Sequence, residues 1–375
     1  MKVRRRKSQK EEGGCLVWLL LLAAFGLLGW IWWQAGRPSL DITTRFPSPQ
    51  PATNNLPQPP APIPQPQVTN SPPRAQVVER QIPPPPPYPE PRPVQSTFEA
   101  QVALLRRGIS VGCIDGSAGH HTRAALRAFQ RQEGIPQTGI LDATTKSRLR
   151  LAAPPLRHYV LTSNDFARLL PVGKTWLAKS KQPRLDYETP LELVAEVGQS
   201  SQFFIRRLNP KINWTNITPG VAVQIPNIDQ PLPRSRAAFL RIELGNKHIQ
   251  AFDSQTNLLA HMPCSIARQV EKRPIGLLFV DKLAVNPNYL FNPEVFTESA
   301  EARQLGRKLT IPPGPNNPVG VAWIGLDKPG YGIHGTPAPE QIGRTESHGC
   351  FRLANWNAQY LMKMVWTDLP IHVVP

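Results

Sequence analysis

Tyr331-Gly-Ile-His-Gly-Thr336 and Thr345-Glu-Ser-His-Gly-Cys-Phe-Arg-Leu353 bring two histidines, a cysteine and an arginine into one glycine-rich stretch. A free thiol is only a few per cent ionised at neutral pH, and a neighbouring imidazole lowers its pKa into a range of about 3.5–7.5. His334 lies sixteen positions before Cys350, so a strand–loop–strand return would bring the two within hydrogen-bond reach. The N–H groups of His348, Gly349 and Cys350 can form an oxyanion hole, with Gly349 permitting a tight bend. Arg352 suits bidentate pairing with a carboxylate. Two other readings fit the same residues. His334, His348 and Cys350 are all zinc-type donors, although no dependable fourth ligand accompanies them. A structural cysteine buried in a glycine-rich turn is the other.

The flanking sequence is built from short alternating apolar segments: Phe239–Leu244, His248–Phe252, Leu277–Val280, Val319–Ile324 and Ile371–Val374. Gly, Asn and Pro turns separate them, which predicts strands. Only Asn355–Met364 reads clearly as a helix. Residues 236–375 are therefore expected to form a mainly-β domain.

Upstream, 97–152 predicts a three-helix unit. Phe98–Leu105 and Thr122–Glu133 have helical spacing, and Asp142 is placed to cap a helix ending near Leu149. His120 and His121 read as exposed turn residues and Asp115 as a turn former. Residues 157–227 predict a strand–helix–helix–strand unit. Thr189 and Glu192 have capping-box spacing, and Val221–Pro226 is the closing strand.

The chemistry-bearing stretch resembles the signature of the L,D-transpeptidases, the YkuD family. The matching residues are His334-Gly-Thr, Ile342-Gly343 and Ser347-His-Gly-Cys-Phe-Arg352. Arg273-Pro-Ile-Gly276 sits where that family has Thr-Pro-x-Gly. The resemblance implies a β-rich, sandwich-like domain with its site in a cleft under a lid, for which Asn286–Pro318 is the candidate. It implies Cys350 as nucleophile, His334 as general base and Gly335 as the carbonyl that orients the imidazole. His348 supports the site, Gly349 lends its backbone to the oxyanion, and Arg352, Ser347 and Tyr331 face the substrate. It implies no metal and no organic cofactor.

Leu104-Leu-Arg-Arg-Gly108, Ile114-Asp-Gly116, Gly119-His-His-Thr122, Ala128-Phe-Gln130 and Thr138-Gly139 are similar to a helical peptidoglycan-binding domain. Leu208-Asn-Pro210, Pro219-Gly220 and Gln224-Ile-Pro226 resemble the LysM fold. Some twenty-odd residues, about Asp165 to Asp186, are inserted where that family has a short loop.

The N-terminal part reads differently. Six Lys or Arg fall in the first ten residues, and Cys15–Trp33 carries no charge. As a helix that run spans about 28 Å, close to a bilayer core. The positive-inside rule puts the basic end in the cytoplasm. The expected order is a cytoplasmic basic tail at 1–14, a transmembrane anchor at 15–34 and a Pro-rich spacer at 35–96. A signal peptide cleaved near Gln34–Gly36 is the alternative. The spacer carries much of the chain's 44 prolines and should favour extended polyproline II.

The net charge of +17 suits an anionic polymer or lipid surface. No long basic helix or aromatic-basic RNA motif accompanies it, so nucleic acid is not an expected partner. The four cysteines, Cys15, Cys113, Cys264 and Cys350, show neither a CxxC pair nor a disulfide framework. The expectation is thus a multidomain enzyme held to the inner membrane by one helix. Its partners would be the stem peptides and glycan of peptidoglycan in the periplasm. L,D-carboxypeptidase or endopeptidase activity, or an inactive wall-binding scaffold, are the alternatives.

Overall fold

Residues 80–296, 299–344 and 349–375 are described by a computed structural model of the chain. The expected basic tail and anchor, with Cys15, and most of the Pro-rich spacer lie outside the described residues. Ser347 and His348 also lie outside them. Among the described residues no helix is long and apolar enough to cross a membrane.

The first module runs β1 (Arg92–Pro93), α1 (Thr97–Leu105), α2 (His120–Gln132), α3 (Ala143–Arg148) and β2 (Arg150–Leu151). Ser96 caps α1 by accepting from Glu99 N, and Asp142 caps α3 by accepting from Thr145 N over 2.7 Å. Such caps each contribute about 1 kcal/mol. Ala125, Leu126 and Phe129 bury one face of α2 against Leu104, Leu105 and Ile114. Buried Gln101 donates to Asp115 Oδ1 and Thr122 Oγ1 and accepts from Gly116 N. Asp115 is therefore the turn former that was expected. His120 and His121 are not turn residues: they open α2. The His121 ring is half-buried, with Nε2 3.0 Å from Ile342 O. It fills the space beside Gly343, where a Cβ would meet it at 2.5 Å. Sequence showed a histidine pair but not the loop waiting for it.

The second module runs β3 (Leu156–Val160), α4 (Ser163–Arg168), α5 (Trp176–Ser180), α6 (Pro190–Val197), α7 (Gln202–Leu208) and β4 (Ala222–Pro226). β3 and β4 pair antiparallel, Leu156 opposite Pro226 and Val160 opposite Ala222. Thr189 caps α6, as its spacing predicted; Glu192 accepts from Glu188 N, one residue before the cap. Asn209 exchanges hydrogen bonds with the backbone of Gln224 and ties the end of α7 to β4.

The third region contains β5 (Phe239–Glu243), β6 (His248–Phe252), β7 (Leu258–Pro263), β8 (Gly276–Val285), β9 (Tyr289–Phe291), α8 (Ala300–Leu305), β10 (Leu309–Ile311), β11 (Ala322–Leu326), β12 (Gly332–His334), β13 (Phe351–Arg352), α9 (Asn355–Met362) and β14 (Pro370–Val374). Eight strands form one sheet in the order β13-β12-β11-β8-β14-β5-β6-β7. β8 is long enough to pair β14 with its first residues and β11 with its last. The sheet curls until Ser265, just past β7, exchanges backbone hydrogen bonds with Arg352 on β13. The expected sandwich is thus a curled sheet enclosing a core that includes Leu240, Ile242, Cys264, Ile324, Ile333, Phe351 and Leu361. Cys113, Cys264 and Cys350 form no disulfide among the described residues.

The insertion and the candidate lid share a small core of their own. Trp176 stacks on Phe291 at 4.4 Å between ring centroids, and Leu185, Leu309 and Ile311 complete the cluster. Glu301 accepts from Trp176 N over 2.6 Å, and Leu185 N donates to Pro313 O. The candidate lid is therefore a β9–β10 pair carrying α8, a helix that sequence pattern did not show.

Candidate active site

β12 and β13 lie side by side and parallel, with His334 opposite Arg352 and Ile333 opposite Phe351. The expected return is thus a parallel crossover. Side chains alternate faces along a strand, so His334 and Arg352 share one face while Ile333 and Phe351 fill the core behind. Cys350 stands just before β13, two residues from Arg352, and the Arg352 charge acts on both it and His334. A cysteine and a histidine distant in sequence are thereby both brought near Arg352.

His334 is buried, with 5 % of its surface exposed. Its Nδ1 lies 2.7 Å from Gly335 O. A carbonyl only accepts, so Nδ1 carries the proton and Nε2 is left free to accept one. Burial pushes the imidazole pKa down to about 4, with Arg352 adding to the fall and the Gly335 hydrogen bond opposing it. The ring is stacked against Trp323 at 5.5 Å.

Cys350 is half-buried, and its Sγ–H donates to Gly330 O over 3.5 Å. Desolvation raises the thiol pKa, while the Gly332 N–H and the Arg352 charge pull it back. The resting groups are therefore a thiol and a neutral imidazole, each near Arg352.

Glycines set the approach distances. A Cβ on Gly332 would meet the Trp323 ring at 2.6 Å, and one on Gly335 would run into Asn355 Oδ1. Gly349 packs on the ring of Tyr331, 3.5 Å from the position its Cβ would take. Asn355 Nδ2 donates to Pro315 O, and the carboxyl of Glu196 on α6 also hydrogen-bonds Asn355. The second module thus reaches to one residue behind the histidine.

Of the residues picked out in sequence, Tyr331, His334, Gly335, Gly349, Cys350 and Arg352 meet at this site. Ser347 and His348 are outside the described residues, so the zinc alternative loses its third member to view. Among the described residues no group of three His, Cys, Asp or Glu is arranged to hold a metal. Three contributors escaped sequence reasoning: Gly332, Trp323 and Tyr289. Tyr289 on the lid is pushed up to about 12 by burial, then by the nearby Cys350, with Arg352 opposing. Only strand register reveals Trp323 opposite His334.

A family model described as "L,D-transpeptidase catalytic domain" matches residues 238–373. The "Putative L,D-transpeptidase YkuD" of Bacillus subtilis (strain 168) is 43% identical over 175 residues, 47% of this chain and 87% of that protein. The chain belongs to the L,D-transpeptidase family. It carries the catalytic domain of these cysteine-dependent acyltransferases. The "Putative L,D-transpeptidase YkuD" of Bacillus licheniformis is similar at 25% over 187 residues, 49% of this chain and 93% of that protein. A solved "L,D-transpeptidase from Mycobacterium smegmatis" matches with TM-score 0.29 and 16% identity, covering 43% of this chain and 76% of that one. A likeness that low carries none of the assignment. A second family model, "Putative peptidoglycan binding domain", matches residues 95–149, the helical module of this L,D-transpeptidase.

Proposed function

We propose that Cys350 is the nucleophile and His334 the general base of a two-step acyl transfer on peptidoglycan stem peptides. The observation that supports this is the β12–β13 register, which sets His334 opposite Arg352, two residues after Cys350. Cys350 Sγ attacks the carbonyl of the third stem residue while His334 Nε2 takes the thiol proton. The bond to the terminal D-alanine breaks, and the imidazolium returns the proton to the leaving amine. Backbone N–H groups at 348–350 hold the oxyanion, with His348 supporting them. Arg352 pairs with a substrate carboxylate, and Ser347 and Tyr331 flank the peptide. An amine of a second stem, in our reading the side-chain amine of a diaminopimelate, attacks the thioester and restores the thiol. Water as acceptor would make the same residues an L,D-carboxypeptidase.

The wider organisation belongs to the same proposal. Residues 15–34 anchor the chain in the inner membrane and the spacer extends into the periplasm. The 97–152, 157–227 and 236–375 units act as wall-binding, LysM-like and catalytic domains. The β3–α6–α7–β4 order and the Asn209 tie support the LysM-like reading.

Intact-mass spectrometry after exposure to a tetrapeptide muropeptide tests the chemistry. An adduct lacking the terminal D-alanine is expected on the wild type and absent from Cys350→Ala. An adduct that persists in Cys350→Ala sinks the assignment. Product analysis with an added acceptor stem separates cross-linking from hydrolysis.

A further inference from the structure

The helical module docks on the free edge of the curled sheet. Ser110 N donates to His261 O over 2.7 Å, and His261 N donates to Gly108 O over 3.1 Å, which extends β7 by one bridge. A sheet edge left open would expose such groups to chance pairing. Beside this seam, between α2 and strands β6 and β7, lie two adjoining cavities of about 760 Å³ and about 170 Å³. They share Ala128, Arg131 and Gln250 as wall residues. The larger is within the size range of small-ligand sites, roughly 300–1,000 Å³.

The charge in this groove is unbalanced. Arg131 and Arg234 line the larger cavity, and Arg127 and Arg131 the smaller. None of the three guanidinium groups makes a hydrogen bond or ion pair among the described residues. The neighbouring acids are already occupied. Glu133 holds Arg107 at 2.8 Å, Glu243 holds Arg241 at 3.1 Å, and Asp253 accepts from the backbone of Gln255 and Asn257. Arg106 is no free cation either, since its guanidinium is committed to the carbonyls of Ala153, Pro154 and Asn227.

A second observation comes from the floor of the smaller cavity. His248 is buried, 8 % exposed, and neither ring nitrogen has a hydrogen-bond partner, although Glu243 Oε2 stands 3.3 Å from Nε2. Buried polar groups are normally satisfied. An unsatisfied imidazole facing a cavity walled by free guanidinium groups fits a polar ligand that completes it.

We propose that this groove is a second peptidoglycan site, which holds a stem peptide by its free carboxylates on Arg127, Arg131 and Arg234. This rests on peptidoglycan being the partner of the chain. Guanidinium forks match carboxylates in bidentate geometry, and a stem peptide offers several carboxylates along a short backbone. The site is composite, with one wall from the wall-binding module and the other from the catalytic sheet and the 231–235 segment that leads into it. From His121, which sits on the loop before the catalytic cysteine, to Arg131 is about 15 Å along α2. A strand held in the groove leaves the residues around Cys350 uncovered, since none of them lines it.

The test is calorimetric titration of the full Cys350→Ala chain with a disaccharide tripeptide, whose stem lacks the scissile bond. The same ligand with its carboxylates amidated, and a phosphate polymer, form the other arms. Tight binding of the free-carboxylate ligand is expected, weakened at least tenfold by Arg127→Gln/Arg131→Gln and separately by Arg234→Gln on the opposite wall. Equal binding of the amidated ligand, unchanged affinity in both variants, or preferential binding of the phosphate polymer would each overturn the proposal. All three substituted side chains lie outside the cores of the modules, and thermal melting checks that the variants fold. Acylation of Cys350 by a small soluble tetrapeptide is expected to be unchanged in the arginine variants of the otherwise wild-type chain. Failure of the groove is thus distinguishable from failure of the catalytic assignment, which shows as loss of the Cys350 adduct in the wild type.

Discussion

His334 Nδ1 donates to the carbonyl oxygen of Gly335 over 2.7 Å, and this one bond decides which nitrogen is left to accept a proton. Replacing His334 with Gln keeps a polar side chain but removes the base. Acylation of Cys350 is expected to slow by about 10²–10⁴-fold, the usual contribution of a positioned general base. Stopped-flow acylation with the stem-peptide substrate measures it, and an unchanged rate would remove His334 from the mechanism.

The same imidazole sets a pH dependence. Its folded-state pKa is down at about 4, against an ordinary value of 6.5. The folded protein therefore binds fewer protons here than the unfolded chain between those values. The group is neutral in both states above pH 6.5, and stability falls as pH drops from 6.5 towards 4. For catalysis, the acid limb of the acylation rate should lie near pH 4 and not near 6.5. An acid limb at the ordinary histidine value would contradict the burial argument.

Glu196 has the opposite sign. Burial lifts its carboxyl to about 8, with Glu192 adding to the rise and the Asn355 hydrogen bond opposing it. The folded state holds this proton where the unfolded chain has lost it, so stability is fully present below about 4.5 and declines as pH rises through 8. Glu196→Gln should flatten that decline in a series of denaturant titrations at pH 5 to 9. Its effect on Cys350 acylation reads how far the second module acts on the site through Asn355.

Gly335 has no room for a side chain, because a Cβ would meet Asn355 Oδ1 and approach Gly320 Cα to 3.2 Å. Gly335→Ala is expected to cost about 1–3 kcal/mol, as overpacking does. It should also lower kcat more than it changes KM, since it displaces the carbonyl that orients His334. A variant with full kcat and wild-type melting would show that the approach is not needed.

Trp176 in the insertion stacks on Phe291 of the lid, and Phe296 lies 5.6 Å from the same ring. Trp176→Ala should destabilise this cluster by about 1–3 kcal/mol. The loss should be local, raising amide exchange in β9, α8 and β10 while the eight-stranded sheet keeps its protection. Because Tyr289 on the lid borders Cys350 and Arg352, acylation should slow as well. Uniform exchange across the chain would mean that the insertion does not brace the lid.

Local signals in the chain determined much of this protein. Ser96, Asp142 and Thr189 start helices because a short polar side chain satisfies an orphan N–H whatever the distant structure does. The alternation in 239–244 and 371–374 fixed strands and their buried faces, and the His334 and Ser347–Arg352 motifs marked the chemistry. Tertiary structure alone decided what those pieces meet. β14 comes from the end of the chain and inserts between β5 and β8, a pairing that no local pattern encodes. His121, legible only as half of an exposed pair, docks on Gly343. The insertion looked like a departure from a known module and proved to share a core with the lid. Register placed Trp323 over His334 and the Gly332 N–H on the sulfur. The reason is physical: caps and periodicity are set within a few residues, whereas cross-strand neighbours and shared cores depend on how distant surfaces complement one another.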